Sequence, residues 1–289
     1  ILRFKQQAGL LDPSYRATPM SPKETEAMIQ NRKQEREDAL EMAMQGLVLV
    51  QNNNNVLPLT KEPQKILVTG PTRDSLSCQS GGWTIDWQGG RPNQDFTYGS
   101  TVRQALEDVS KSGMEWTILE KCGTNIVGLD CGGDGDGDSI DEAAQVAAQV
   151  DTVLVCIGEE AYAEKPGDLH SLDLVPGQVE LVRRLREANA KAKIIVIYFG
   201  GRTRLLGDIP TLADAVLVAF LPGPDAGKVV MNVLTGSYNP SGRLPITYPK
   251  YQDGSGAPYL HPVSEMCTQS DYENQPLPHY GLAPSCEVQ

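Results

Sequence analysis

Six short apolar runs alternate with amphipathic segments along most of the chain. The runs are rich in Val, Ile and Leu and end at turn residues: LVLVQ, KILVTG, EWTILE, DTVLVCIG, KIIVIYFG and AVLVAFLPG. The segments between them have helical spacing: TVRQALEDVSKSG, DEAAQVAAQV, GQVELVRRLREANA and DAGKVVMNVLTG. Near-continuous β-branched strands separated by helices are typical of a parallel sheet covered on both faces. We therefore predict an α/β fold, a three-layer α/β/α sandwich with a mostly parallel sheet.

The two ends of the chain lack this alternation. The first residues, ILRFKQQAGLL, have a helical pattern that is already under way at Ile1, with no signal peptide, so we expect a fragment or a processed product. A Pro-containing linker then becomes a long amphipathic helix from about residue 32 to Gly46. We predict an α/β domain over 35–250, preceded by a segment 1–34 and followed by a C-terminal segment 251–289 that wraps over the surface.

Charge and composition exclude several classes of protein. Hydrophobic residues make up 40% and charged residues 21% of the chain, which is too apolar for a disordered protein. The formal net charge of −12 works against binding to nucleic acid or to an anionic membrane surface. The apolar runs are far shorter than the roughly 20 residues that cross a bilayer, so we expect no membrane span. Neither G-x-x-x-x-G-K-[ST] nor a strand-linked G-x-G-x-x-G is present, which argues against a nucleotide-binding domain.

The six cysteines indicate the redox compartment. Two pairs, Cys122 with Cys131 and Cys267 with Cys286, have spacings that suit disulfides across loops. Cys156 lies inside an apolar run and is predicted to be buried, while Cys78 is undecided. No close pair of the C-x-x-C type suggests zinc. We favour an oxidising compartment, and six reduced thiols in a cytosolic enzyme remain the alternative.

Carboxylates crowd the loop that follows DTVLVCIG. The loop reads GEEAYAEKPGDLHSLDL and contains Glu159, Glu160, Glu164, Asp168 and Asp173. Ligands of open α/β sheets bind beyond the carboxyl ends of the strands, which is where this loop lies. Neighbouring carboxylates can raise the pKa of one of their number, as general acid catalysis near neutral pH requires. A solvated acidic loop is the alternative.

A second loop, after KILVTG, contains two of the three tryptophans. The string SGGWTIDWQGG places Trp83 and Trp87 four residues apart between pairs of glycines. Aromatic rings in a Gly-rich loop suit stacking against the apolar faces of sugar rings. Tryptophans four residues apart can also pack in a core on one turn of a helix, but the flanking glycines disfavour a helix here.

These strings together resemble a known family. SGGWTIDWQGG, GEEAYAEKPGD, QGLVLVQNNNNVLPL, FLPGPDAG and GSYNPSGRLPITYP are similar, in order and spacing, to the C-terminal α/β sandwich domain of family 3 glycoside hydrolases. The closest likeness is to the two-domain β-glucosidases and β-D-glucan exohydrolases, from about residue 35 to residue 282. The first residues, ILRFKQQAGLLDP, resemble the last helix of the (β/α)8 barrel that precedes the sandwich in this family.

The resemblance implies retaining hydrolysis of β-glucosidic bonds by two carboxylates. Glu164 occupies the position of the family's acid/base, which protonates the leaving oxygen and then deprotonates the incoming water. Glu159 is the fallback for this role, and otherwise it and Glu160 are interpreted as support or solvated surface. Asp168 and Lys165 match the loop motif, with Asp168 a weaker candidate for substrate binding.

The tryptophans match the aromatic clamp of the exohydrolases. By this resemblance Trp87, and less surely Trp83, grip the glucosyl unit on the leaving-group side. No cofactor and no metal are expected at the site. The substrate implied is a β-glucan or β-glucoside oligosaccharide, with sugar preference and linkage left open.

The family's nucleophile is an Asp on the barrel, almost none of which this chain contains. We therefore predict a chain that is inactive alone, and that joins an N-terminal barrel chain or domain through a large apolar surface. The expected location is secreted or another oxidising compartment, such as the periplasm or a lysosome-like organelle. A non-catalytic carbohydrate-binding or assembly protein that retains the fold is the alternative function.

A further motif, GGDGDGDSIDEAAQ, spaces Asp134, Asp136 and Asp138 as in a Ca²⁺ loop. The Gly at the sixth position and the Glu at the twelfth are missing, so we favour an acidic turn in which Ser139 or Asp138 caps the next helix, with a bound cation as the alternative. The three histidines, at positions 170, 261 and 279, are too scattered to propose as a metal set.

Overall fold

The computed structural model describes residues 1–15, 21–131, 138–246, 248–249 and 280–282. The chain divides into two compact units, Ile1–Glu41 and Met42–Gln289. The first contains helix α1, Leu2–Gln7, and most of helix α2, Pro22–Gly46. Helix α2 begins well before residue 32 because Ser21 and Glu24 form a capping box, in which each side chain accepts a hydrogen bond from the other residue's backbone N–H.

The second unit is built on a six-stranded sheet with the order β1-β6-β5-β4-β2-β3. All neighbouring strands are parallel except β1, which pairs antiparallel with β6 at one edge. All six predicted strands are present, with these bounds: β1 Val48–Asn52, β2 Gln64–Thr69, β3 Trp116–Glu120, β4 Thr152–Gly158, β5 Lys193–Phe199 and β6 Ala215–Phe220.

Helices cover both faces of this sheet. The described helices of the second unit are α3 Leu76–Ser80, α4 Val102–Lys111, α5 Ile140–Ala147, α6 Pro176–Ala188, α7 Ile209–Leu212 and α8 Ala226–Leu234. Helix α5 packs on α6, while α4 packs on α8. The central strand β4 is buried along its whole length, as a sheet covered on both sides requires. The predicted three-layer α/β/α sandwich is therefore confirmed.

The helix ends follow local sequence signals. Thr101 caps α4 through a capping box with Gln104, and Ser139 caps α5 by accepting a hydrogen bond from the Glu142 N–H group. The capping role predicted for Ser139 is thus confirmed. The short helices α3 and α7 were not predicted, because neither is long enough to show a helical period.

Beyond the main sheet, Tyr248–Pro249 and Tyr280–Leu282 pair as a small antiparallel ribbon of two strands, β7 and β8. The predictions for Asp134, Asp136, Cys267, Cys286 and the other residues of 251–279 and 283–289 lie outside the described residues. None of the described helices combines the length and apolarity of a membrane span.

Candidate active site

The loops that follow β2, β4, β5 and β6 meet at one edge of the sheet. The Glu159 N–H group donates to the carbonyl of Phe199 at 2.9 Å, which joins the loop after β4 to the end of β5. The Gly223 N–H group, after β6, donates to the carbonyl of Gln79 at 3.1 Å in the segment after β2. Parallel strands bring these loops together because their carboxyl ends share one edge.

The loop after β4, residues 159–173, is called the acid loop here. Glu164 lies near its middle and is exposed, and the described residues make no hydrogen bond to its carboxylate. Its carbonyl accepts a hydrogen bond of 2.8 Å from the Gly167 N–H group, which closes a 3₁₀ turn over Lys165–Gly167. No described residue thus competes with a ligand for this carboxylate.

The backbone of Glu164 has a conformation that residues with side chains rarely adopt. Its φ is 54° and its ψ is −145°. A non-glycine residue in such a region costs about 1–3 kcal/mol and persists only where surrounding contacts determine it. Strain of this kind is concentrated at binding and catalytic sites, and it points to the same residue that the loop motif singles out.

The loop after β2 projects two tryptophans into solvent. This tryptophan loop, residues 80–90, leaves Trp83 69% and Trp87 47% exposed. The Trp83 N–H group donates to the carbonyl of Trp87 at 3.0 Å, so the residues between them form a closed turn. Trp83 and Ile85 have φ values of 60° and 70°. No helix forms around the tryptophans, as the flanking glycines predict, and neither ring is part of the core.

The tryptophan loop lies directly against the acid loop. A Cβ atom added to Gly82 would collide with the carbonyl of Tyr162 and lie 3.0 Å from the Cβ of Ala163. The side-chain amide of Gln88 donates to the carbonyl of Ala163 and accepts from its N–H group, both at 3.1 Å. The structure thus brings Trp83 and Trp87 to the loop that contains Glu164.

Glu159 is buried beside two arginines from the loop after β5. Its carboxylate accepts from Arg202 Nε at 3.0 and 3.2 Å and from Arg204 Nη1 at 2.6 Å. The side chains of Glu159 and Arg204 are only 7% and 9% exposed. A carboxylate held by two guanidinium groups has no free oxygen to offer a leaving group. This geometry favours the supporting role for Glu159 over the catalytic fallback.

Arg202 connects Glu159, at the start of the acid loop, to residues further along the same loop. Its Nη1 donates to the carbonyl of Gly167 at 2.5 Å, and its guanidinium lies 4.0 Å from the centre of the Tyr162 ring. The Tyr198 hydroxyl donates to the Arg202 carbonyl at 2.9 Å. Burial, and then the negative charge of Glu159, raises the pKa of Tyr162 above its ordinary value.

Gln178 of helix α6 supports the acid loop, and the sequence did not predict this role. Nor did it predict the roles of Arg202 and Arg204. The fully buried amide of Gln178 accepts from the Gly158 N–H group at 2.9 Å and donates to the Gly158 carbonyl at 3.0 Å. These bonds satisfy the backbone at the point where β4 ends and the acid loop begins. A glutamine in an amphipathic helix gives no sign of this contact, which joins residues 20 positions apart.

The remaining predicted residues have varied surroundings. Asp168 and Lys165 are both exposed in the acid loop, and the Asp168 N–H group donates to the Lys165 carbonyl at 3.0 Å. Among the described residues, no three His, Cys, Asp or Glu side chains form a group suited to a metal ion. Asp168 shares the acid loop with Glu164, and no described residue forms a hydrogen bond or ion pair with its side chain.

The Cys122–Cys131 disulfide and the burial of Cys156 are as predicted, and Cys78, which the sequence left undecided, is also buried. Cys122 and Cys131 form a disulfide with their Cα atoms 6.1 Å apart. The Asp138 carboxylate accepts a 2.7 Å hydrogen bond from the Cys122 N–H group, which places it beside this disulfide. Cys78 and Cys156 are buried free thiols, and burial raises the pKa of Cys156 to about 12.

Comparison with known proteins decides the family. Residues 47–282 match the family described as Glycosyl hydrolase family 3 C-terminal domain. The chain belongs to glycoside hydrolase family 3. It contains the C-terminal domain of that family, and the match includes both the acid loop and the tryptophan loop.

Individual relatives agree with this assignment. The chain is 36% identical to a lysosomal beta glucosidase of Dictyostelium discoideum, over 92% of this chain and 31% of that protein. It is 30% identical to a periplasmic beta-glucosidase of Salmonella typhimurium, over 86% and 33%. The crystal structure of an exo-1,3/1,4-beta-glucanase from a Pseudoalteromonas species superposes with a TM-score of 0.67 at 27% identity, over 88% of this chain and 30% of that one. The chain thus spans about a third of the length of each relative.

Proposed function

We propose that this chain is the acid/base-bearing part of a retaining, exo-acting β-glucosidase or β-glucan glucohydrolase. The observation that carries the proposal is the contact between the two loops, which places exposed Trp83 and Trp87 beside the loop of the exposed Glu164. A hydrolase of sugars needs both an aromatic surface for the sugar ring and a proton donor for the leaving oxygen. The names of the relatives support a β-glucoside as the substrate.

In this mechanism Glu164 acts twice. As the acid it protonates the glycosidic oxygen while a nucleophile attacks the anomeric carbon from the other face of the sugar, and the leaving group departs. As the carboxylate it then takes a proton from the water that hydrolyses the glycosyl-enzyme intermediate. Trp87, with Trp83, stacks on the sugar on the leaving-group side. The reaction needs no cofactor.

The nucleophile comes from a (β/α)8 barrel outside this chain, so the chain alone does not hydrolyse glycosides. The length of the relatives, about three times that of this chain, supports a missing domain. Trp83, Ile85 and Trp87 form an exposed apolar cluster at the site, of the kind that marks a surface covered by a ligand or partner. A retaining mechanism requires the two carboxylates to lie about 5 Å apart across the interface.

The same proposal includes a secreted or other oxidising location. The Cys122–Cys131 disulfide is stable in such compartments and rare in the reducing cytosol. The two relatives named above are lysosomal and periplasmic proteins.

The test is a leaving-group comparison on the chain combined with its barrel partner. Glu164→Gln should slow hydrolysis of laminaribiose about 10²–10⁴-fold, because the leaving sugar must be protonated. It should slow release of dinitrophenolate from dinitrophenyl β-glucoside far less, because that group leaves without a proton. The matched control is Glu160→Gln, which removes another exposed carboxylate from the same loop. Equal losses on both substrates, or equal losses in the control, would contradict the assignment.

The tryptophans are tested by ligand binding. Trp87→Ala should weaken binding of laminaribiose more than binding of glucose, since the disaccharide alone extends to the leaving-group side. Aromatic pairs gain roughly 0.5–1.5 kcal/mol beyond area burial, and the loss of a stacking contact of that size is about a 2- to 12-fold change in Kd. Unchanged affinity for both sugars would remove Trp87 from the site.

A further inference from the structure

Glu164 is the centre of the acid loop, and the conformation of its backbone depends on its neighbours. Its φ of 54° is one that a glutamate does not hold by itself. Its carboxylate receives no hydrogen bond from the described residues, so none of them orients the side chain directly. Within this part of the chain, the direction of the carboxylate therefore depends on what holds the backbone on either side of it.

The residue immediately before Glu164 is held from the tryptophan loop. Gln88 donates to the Ala163 carbonyl and accepts from the Ala163 N–H group, each at 3.1 Å. Two hydrogen bonds from one planar amide fix the position and the rotation of the peptide groups on both sides of Ala163. The second of these peptide groups is the one that leads into Glu164.

Gln88 is itself fixed by its neighbours in the tryptophan loop. The next residue, Gly89, donates its N–H group to the Asp86 carboxylate at 2.8 Å. Asp86 forms a 2.5 Å ion pair with Arg91, and Trp87 closes the turn by accepting from the Trp83 N–H group. The residues just before and just after Gln88 are therefore both held by hydrogen bonds within the tryptophan loop, and the side-chain amide of Gln88 projects from this fixed segment.

We propose that Gln88 is a positioning residue for the acid/base, which it holds through Ala163 in the orientation that donates a proton to the leaving group. The inference rests on the proposed role of Glu164. It explains why the sugar-binding loop and the proton-donating loop are joined at this point: a movement of the tryptophans reaches the backbone of Glu164 through the hydrogen bonds of Gln88, in addition to the close packing at Gly82. Gln88 touches no substrate atom in this role.

The chain offers a matched control for this side chain. Asn52 makes the same pair of bonds to a single residue, since its amide donates to the Leu57 carbonyl at 3.1 Å and accepts from the Leu57 N–H group at 3.0 Å. Asn52 ends β1 and pairs with Ala215, the first residue of β6. It therefore lies at the amino-terminal ends of the parallel strands, whereas the acid loop lies at their carboxyl ends. Asn52→Leu and Gln88→Met each remove two hydrogen bonds without much change in side-chain size.

The first measurement uses the chain as it is. Amide hydrogen exchange is followed by mass spectrometry on peptides from the acid loop and from 52–59 in the wild type and both variants. We expect Gln88→Met to accelerate exchange in the acid loop alone, and Asn52→Leu to accelerate it in 52–59 alone. If Gln88→Met leaves exchange in the acid loop unchanged, Gln88 does not hold that loop and the proposal is wrong.

The second measurement uses the chain combined with its barrel partner. Gln88→Met should lower kcat for laminaribiose by about 10- to 100-fold, the cost of a small misplacement of a catalytic group, with a smaller effect on dinitrophenyl β-glucoside. Asn52→Leu should change neither. In the Glu164→Gln background Gln88→Met should have no further effect, because the group that it positions is already inactive.

The outcomes separate the two proposals. If Glu164→Gln shows no leaving-group dependence, the proposed function fails, whatever Gln88 does. If Glu164→Gln shows the leaving-group dependence, but Gln88→Met slows hydrolysis of both substrates equally or of neither, only the positioning role is overturned. An additive effect of Gln88→Met in the Glu164→Gln background would likewise overturn it, since it would show that Gln88 acts through another group.

Discussion

The buried ion pair beneath the acid loop allows a quantitative prediction. Glu159→Gln removes the negative charge that faces Arg202 and Arg204 while it keeps the shape of the side chain. Breaking a buried pair by removing one partner costs about 3–5 kcal/mol, because the other charge stays buried without compensation. Arg204 is 9% exposed, whereas Arg202 is 27% exposed and keeps part of its hydration. We therefore expect a loss at the lower end, about 3 kcal/mol in the free energy of unfolding.

The assay is urea and thermal unfolding of the chain followed by circular dichroism. A loss of about 3 kcal/mol corresponds to a Tm lower by roughly 6–12 °C for a domain of this size. The control is Glu160→Gln, the next residue along, which is exposed and should change stability by less than about 0.5 kcal/mol. If the two variants unfold at the same midpoint, the arginines are satisfied by solvent and the argument for a supporting ion pair is wrong.

Two further predictions concern the neighbouring loops. Gly82→Ala places a Cβ against the Tyr162 carbonyl and should destabilise the chain by about 1–3 kcal/mol in the same unfolding experiment. The control is Gly90→Ala, whose added Cβ meets nothing within 4 Å and which should be close to neutral. Equal unfolding midpoints for the two variants would contradict the close approach of the two loops. Cys122→Ser removes the disulfide to Cys131 and should cost about 2–3 kcal/mol by the loop-closure entropy of the unfolded chain. Urea unfolding of the wild type and the variant measures this loss directly, and equal free energies of unfolding for the two proteins would show that the disulfide contributes nothing.

Glu159 and Glu164 illustrate how tertiary contacts give two residues of the acid loop different environments. The two residues are five positions apart and chemically identical. Glu159 follows the buried end of β4 and meets two arginines, whereas Glu164 lies at an exposed turn where no described residue bonds to its carboxylate. A buried carboxylate requires paired charge, while an exposed one can exchange protons with a ligand.

The elements of the fold follow from local patterns in the amino-acid sequence. Apolar runs of β-branched residues predict all six strands of the main sheet because a doubly covered parallel sheet requires them, and helical spacing predicts the four longer helices between β2 and the end of α8. The Cys122–Cys131 disulfide and the Ser139 cap follow from local spacing. The motif around Glu164 and the paired tryptophans were also visible, because each lies within a few residues of sequence.

The way in which these pieces are held together depends on contacts between distant parts of the chain. The antiparallel edge strand β1, the pairing of Gln88 with Ala163, 75 positions apart, and the burial of Glu159 against Arg204, 45 positions apart, have no local signature. The intrinsic conformational preferences of a glutamine or glutamate are the same whether its side chain meets solvent or a distant partner, so they do not reveal such a contact. Its partner is set by the order of the strands, which brings the carboxyl ends of β2, β4 and β5 to one edge and so places their loops within hydrogen-bonding distance.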